Sequence, residues 1–172
     1  CILSDNDEIV DYLNKIGIIN VHENKEIDFL VSCEIARLNV VKWFIEHGAT
    51  RIPEAFGISC LNEHKNLIKY FIHSGKIDND EIIFALLVAV KCGKINSVDC
   101  IVTETEIDSD EIKEKIMITA TENNRLDIIV YMIEHYNINS NIIKKTMENA
   151  VYHEHVDIIK YLRSKMKQEG MR

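Results

Sequence analysis

Seven histidines, five cysteines and 28 acidic residues are the side chains that could do chemistry in this sequence. Zinc or copper chemistry needs several ligands converging at about 2 Å. His153 and His155 flank Glu154, but spacing fixes no further ligand beside them. His47, His73 and His135 each fall where a helix is expected to end, and a donor there complements free carbonyls and the helix dipole. Nucleophilic catalysis needs a Ser or Cys beside a base and an orienting acid. Cys33 and Cys60 occupy equivalent positions, as do Ser32 and Ser59. Such recurrence marks packing, because a catalytic residue is needed only once. No cysteine pair has CxxC spacing, which counts against a disulfide framework or a zinc ribbon. The thiols read as reduced, several of them buried as small hydrophobes. Asp78/Asp80 and Asp108/Asp110 look like a calcium loop or a carboxylate dyad, but both recur just ahead of apolar runs, where helix capping accounts for them. No G-x-S-x-G, P-loop or G-x-G-x-x-G is present. The expectation is no catalytic residue, no metal and no cofactor.

What must position these residues follows from the rest of the chain. Its 172 residues suit one domain or one array of repeats, and 47% hydrophobic residues suit a folded core. The net charge is −8, with no Lys/Arg block. Nucleic acid and anionic membrane both demand a basic face, so neither is the expected partner. The longest apolar run, Ile82 to Val90, has nine residues, whereas a membrane span needs about 20. No signal-peptide pattern is legible, and the cytoplasm is the expected location. One proline and six glycines leave little turn chemistry for a β-rich fold.

One pattern recurs along the whole chain. It reads Glu8-Ile-Val-Asp-Tyr-Leu, Asn39-Val-Val-Lys-Trp-Phe, Asn66-Leu-Ile-Lys-Tyr-Phe, Asn96-Ser-Val-Asp-Cys-Ile, Asp127-Ile-Ile-Val-Tyr-Met and Asp157-Ile-Ile-Lys-Tyr-Leu. The acidic or Asn anchors lie 31, 27, 30, 31 and 30 residues apart. Seven residues before an anchor sits a small residue: Ser32, Ser59, Ala89, Ala120 or Ala150. A third register, Ile77-Asp-Asn-Asp, Ile107-Asp-Ser-Asp and Ile138-Asn-Ser-Asn, supplies side chains that accept from the first free amides of a helix. Each unit therefore predicts two helices, the second beginning near the anchor. Its apolar residues, such as Val40, Val41, Phe44 and Ile45, form one stripe at the 3.6 period. Helices of about 10 residues are marginal alone in water and must stack on neighbours.

These registers resemble the ankyrin repeat. In that family small residues close a first helix, a short turn follows, and a second helix opens on Leu-Asp/Glu-hydrophobic-Val-Lys. Here Ala120-Thr-Glu-Asn-Asn-Arg-Leu-Asp-Ile-Ile-Val-Tyr-Met-Ile-Glu-His and Ser32-Cys-Glu-Ile-Ala-Arg-Leu-Asn-Val-Val-Lys-Trp-Phe-Ile-Glu-His-Gly carry the likeness, which runs from about Asp5 to Met166. The family's Thr-Pro-Leu-His helix start is absent; its slots hold Ile27 to Leu30, Glu54 to Gly57 and Phe84 to Leu87. The shorter period predicts short connections without a proper β-hairpin. The Ile/Asn-rich units are similar to the ankyrin-like families of large DNA viruses, including the multigene-family proteins of African swine fever virus and the ankyrin proteins of giant viruses.

The resemblance implies an all-α, ankyrin-like solenoid of about five to six helix-turn-helix repeats of 30–31 residues. It would form a single domain over residues 1–172, with a frayed polar tail at 163–172 and a first unit cut short at Cys1. Carried over by register, the family's concave binding face falls on Glu34, Leu61, Asn62, Lys91, Cys92, Glu122, Asn123, Tyr152 and His153. A column of Tyr12, Trp43, Tyr70, Cys100, Tyr131 and Tyr161 reads as packing between second helices. Trp43 is its one candidate partner contact, since Trp is enriched in interface hot spots. The implied function is a non-enzymatic module binding a partner protein, a host factor in innate immune signalling if the viral likeness holds. A monomer is expected, with uncapped ends open to self-association. The alternative is a recruitment or regulatory domain of a larger multidomain enzyme.

Overall fold

The computed structural model describes Tyr12, Lys15 and residues 25–105 and 109–168. Among the described residues the chain is all-helical, with no strand. The helices are α1 (Lys25–Glu34), α2 (Leu38–Glu46), α3 (Ile52–Leu61), α4 (Lys65–His73), α5 (Asn79–Lys91), α6 (Ile95–Thr105), α7 (Asp110–Glu122), α8 (Leu126–His135), α9 (Ser140–Tyr152) and α10 (Val156–Gln168). They come in pairs, each joined by a three-residue turn. In all five pairs the anchor is the second residue of the second helix, where an acidic or amide side chain faces the free N–H groups.

One motif makes all five turns. The residue three before the anchor has positive φ: Ala36 (58°), Glu63 (57°), Gly93 (71°), Asn124 (54°) and Glu154 (58°). The next N–H then reaches back to the carbonyl of the small residue. Arg37 bonds Ser32 at 2.9 Å, His64 bonds Ser59 at 3.0 Å, and Lys94 bonds Ala89 at 2.9 Å. Arg125 bonds Ala120 at 2.8 Å, and His155 bonds Ala150 at 3.0 Å. This is a Schellman ending, which satisfies carbonyls that the helix leaves open. The small residues carry it because they are fully buried at the close approach of the two helices.

The first helices of the later pairs start as the third register expects. Asp78 and Glu81 exchange bonds in a capping box at 2.8 and 2.9 Å. Ser109 and Asn139 accept from the N–H groups of Ile112 and Ile142 at 3.3 and 2.9 Å. The start of α3 is held differently. Its flanking Arg51 makes no side-chain cap. Instead the Glu26 carboxylate, reaching from α1, accepts from the N–H groups of Thr50 and Arg51 at 3.0 and 3.1 Å.

The chain divides into two compact units, residues 1–85 and 86–172, with the division inside α5. The sequence expectation was one domain. In the first unit α1 packs on α2 and α3, and α3 on α4. Phe29, Phe44, Phe56 and Phe71 are its largest fully buried side chains. In the second unit α7 packs on α8 and α9, α9 on α10, and α8 on both α6 and α10. Its core is mostly aliphatic, with Leu86, Ile101, Ile116, Met117, Ile128 and Ile129 buried. The expected frayed tail is helical as far as Gln168, because Leu162 keeps α10 anchored in the core; residues 169–172 lie outside the described residues. So do Cys1, the Glu8 anchor and Asp108.

Candidate partner-binding surface

The Schellman turns place the residues nominated by resemblance. In the first unit Glu34 ends α1, Leu61 ends α3, and Asn62 opens the following turn. In the second unit Lys91, Glu122 and Tyr152 end α5, α7 and α9, while Cys92, Asn123 and His153 open the turns. All are exposed except Asn123, which is half-buried. Tyr152 is the most open, at 82%. Two are partly occupied by the fold: the Asn62 and Asn123 amides donate to the carbonyls of Ile58 and Thr119 at 3.0 and 2.8 Å.

A column of basic residues draws some of these together within each unit. Arg37, His64, Lys94, Arg125 and His155 all lie two residues before an anchor. In the first unit His64 Nε2 lies 2.7 Å from the Glu34 carbonyl. A carbonyl only accepts, so this nitrogen carries the proton. In the second unit Arg125 Nε donates to the Lys91 carbonyl at 2.8 Å. A basic group thus closes the end of the preceding first helix and brings Glu34 toward the turn at Asn62, and Lys91 toward the turn at Asn123. The signal was legible as a basic residue before every anchor but the first, and it was missed.

Trp43 corrects an expectation. It was nominated as a partner contact, yet only 4% of it is exposed. Its ring stacks on His47 at 4.0 Å and sits edge-on to Phe44 at 5.2 Å. A large apolar ring four residues before a helix-ending histidine is drawn inward, and it could meet a partner only if α2 unpacked. His47 Nδ1 also lies 2.8 Å from the Trp43 carbonyl, the helix-end role expected of that histidine.

Two members of the aromatic column, Tyr70 and Tyr131, link neighbouring second helices within their units, whereas Tyr12 is largely exposed. Lys42 Nζ sits 5.5 Å from the Tyr70 ring centre. Tyr131 donates its hydroxyl proton to Asp99 Oδ1 at 2.5 Å. Each contact joins the residue three after one anchor to the aromatic four after the next. Burial, helped by the Asp99 bond, lifts the Tyr131 hydroxyl above its ordinary range. Burial also raises Tyr70, with the nearby Glu46 charge adding to it.

Neither the cysteines nor the histidines build a reactive centre among the described residues. Cys33, Cys60 and Cys100 are buried, and burial pushes the Cys33 thiol up to about 12, which holds it as an unreactive thiol. Cys92 is exposed. His153 and His155 stack with centroids 5.7 Å apart, and no cluster of three metal-ligating side chains occurs among the described residues.

The largest departure from the sequence reading is the outward face of the first helices. In the first unit that face carries Ile27 and Val31 exposed on α1, Ile35 just past its end, Leu61 on α3 and Phe84 at 72% on α5, with Glu54 paired to Arg51 beside them. Gly57 lies on the same side of α3, at three and four residues from Glu54 and Leu61. A methyl group added there would meet nothing within 4 Å. In the second unit the equivalent slots hold Lys115, Thr119, Lys145 and Asn149. Glu111 and Lys115 pair there at 2.8 Å, and Glu114 and Lys145 at 2.7 Å. A shallow groove of about 590 Å³ runs over Leu87, Ile118, Thr119, Glu111, Glu114 and Lys115. The family's register points to helix ends and passes over Ile27 and Phe84, which fall in the slots of the missing helix start, and Val31 and Ile35, which fall in no register.

Comparison with protein-family models, with curated proteins and with solved structures returned no match. The ankyrin likeness therefore stands on the chain's own registers.

Proposed function

We propose that the chain is a non-enzymatic protein-interaction module of ankyrin-like helix pairs, binding a partner protein on the outward face and ends of its first helices. One observation carries this reading: most of the large apolar side chains left in solvent among the described residues lie there, Tyr12 and Val156 being the exceptions. Ile27, Val31, Leu61 and Phe84 in the first unit, and Val151 and Tyr152 in the second, all belong to first helices. Contiguous exposed apolar surface marks interaction sites in folded proteins. Repeat arrays bind through many side chains on such a surface rather than through one reactive centre. The helix pairs, the Schellman turns and the near-constant period support the ankyrin-like assignment, although the described connections hold no hairpin. The likeness to families of large DNA viruses makes a host protein of innate immune signalling the first partner class to test.

The test is affinity capture with mass spectrometry, using wild type beside a Leu61→Lys/Glu122→Lys/Tyr152→Ala variant with unchanged circular dichroism. The reading expects a saturable partner captured by wild type and lost with the variant. A partner held equally by both would refute the assigned surface.

A further inference from the structure

We propose that the first-helix face of the first unit takes an amphipathic helix of a partner protein, apolar on one side and rich in Lys and Arg on the other. This rests on reading the chain as a partner-binding module and adds the chemistry of the partner. Ile27, Val31 and Ile35 recur every four residues, so they form one stripe about 12 Å long. That is the length over which anchors at i, i+4 and i+7 of a docked helix engage a groove. Gly57, on the adjacent α3, has open space where its side chain would be, so nothing inside the fold requires glycine there. A missing side chain on an exposed apolar face lets a foreign backbone come close.

Charge selects the polar side of that helix. Asp28 and Glu34 on α1 and Asp80 on α5 border these positions and make no ion pair among the described residues. Among the described residues of the first unit, 25–85, nine acidic and seven basic side chains leave a net of −2, and Arg51 already neutralises Glu54. An acidic helix or an anionic membrane surface would be repelled by such a border. A basic amphipathic helix satisfies both the stripe and its border.

Two 18-residue synthetic helices test this on the full chain. They share one amphipathic leucine pattern, with lysine in one and glutamate in the other at every polar position. Fluorescence anisotropy should show saturable binding of the lysine peptide and at least about tenfold weaker binding of its glutamate twin. Nuclear magnetic resonance shifts should cluster on residues 27–35 and 54–62. The Gly57→Arg variant should keep or raise thermal stability, since the added side chain has room and glycine is a poor helix former, yet weaken the lysine peptide by about tenfold or more. Val31→Lys/Leu61→Lys should do the same, while Glu122→Lys/Tyr152→Ala leaves binding within about twofold. Equal binding of both peptides, or full binding by Gly57→Arg, would overturn the inference. A captured partner lost with Glu122→Lys/Tyr152→Ala but kept by Gly57→Arg would overturn it too, while leaving the partner-binding module standing. A partner kept by both variants would remove both.

Discussion

The two units solve the same helix-pair problem with opposite surfaces. On the first helices of the second unit charged pairs such as Glu114–Lys145 and Glu111–Lys115 hold part of the outward face, with Val151 and Tyr152 exposed at the end of α9, and Ser109 and Asn139 cap their helices locally. In the first unit Ile27, Val31 and Phe84 stand open in the matching slots while Glu54 pairs with Arg51, a glycine sits inside α3, and the start of α3 depends on Glu26 from another helix. Two of the first unit's turns also force Ala36 and Glu63 into positive φ, where the second unit has Gly93 and Asn124 in addition to Glu154. The difference teaches that the buried side of a repeat is constrained by its neighbours, whereas the outward side is free to be tuned for something else.

Breaking the shared scaffold should give the largest effect. Ala120 is fully buried at the close approach of α7 and α8, so Ala120→Leu should cost about 1–3 kcal/mol by overpacking, read from denaturant unfolding. The equivalent Ser59→Ala should cost less than about 1 kcal/mol, because it only removes the bond from Ser59 Oγ to the Ala55 carbonyl, which is already within a helix. A larger penalty at Ser59 would mean that the small-residue register is not equivalent in the two units.

The turns come next. Gly93→Ala should destabilise by about 1–2 kcal/mol, since the new methyl keeps φ at 71° and lies 3.2 Å from both Arg125 Nη1 and Asp127 Oδ2. Ala36→Gly should stabilise by up to about 1 kcal/mol at the matching position of the first unit. Gly57→Ala sharpens the comparison from the other side. With open space at the new methyl, it should gain roughly 0.5–1 kcal/mol from helix propensity. A loss there would show that glycine is needed within the fold after all.

The smallest effects concern acid on α1. Burial alone would raise the Glu26 carboxyl, but the N–H groups of Arg51 and Thr50 outweigh it and hold the group below the ordinary range. Its folded value is therefore below the unfolded one. The stability it adds is present above the ordinary carboxylate range and is lost as pH falls through the folded value. Asp28 is the reverse: burial raises it, so its ionised form costs stability at neutral pH and that cost fades on acidification. Glu26→Gln should lower the thermal midpoint at pH 7, and Asp28→Asn should raise it. Both differences from wild type should shrink as the pH approaches the carboxylate range.

The sequence made the helix pairs legible because period, small residue and anchor are all dictated by burial. The same logic found the caps at Asp78, Ser109 and Asn139, whose side chains bond amides only a few residues away. It misjudged Trp43, because an aromatic in a repeated column looks the same whether it ends in a core or at a surface. It passed over Ile27, Val31 and Phe84, because exposure depends on what lies across from a residue, and a single sequence does not state that. The Glu26 clamp was hidden for a related reason: its amides lie 24 and 25 residues away.

Site-specific photo-crosslinking tests the central claim most directly. A benzophenone side chain is placed at Val31 or Leu61 on the first helices, or at Asn66 or Lys69 on the second helix α4, and the full chain is irradiated with its captured partner. The account predicts partner adducts from Val31 and Leu61 and none from Asn66 and Lys69. Adducts confined to Asn66 and Lys69 would place the partner on the second helices and contradict it.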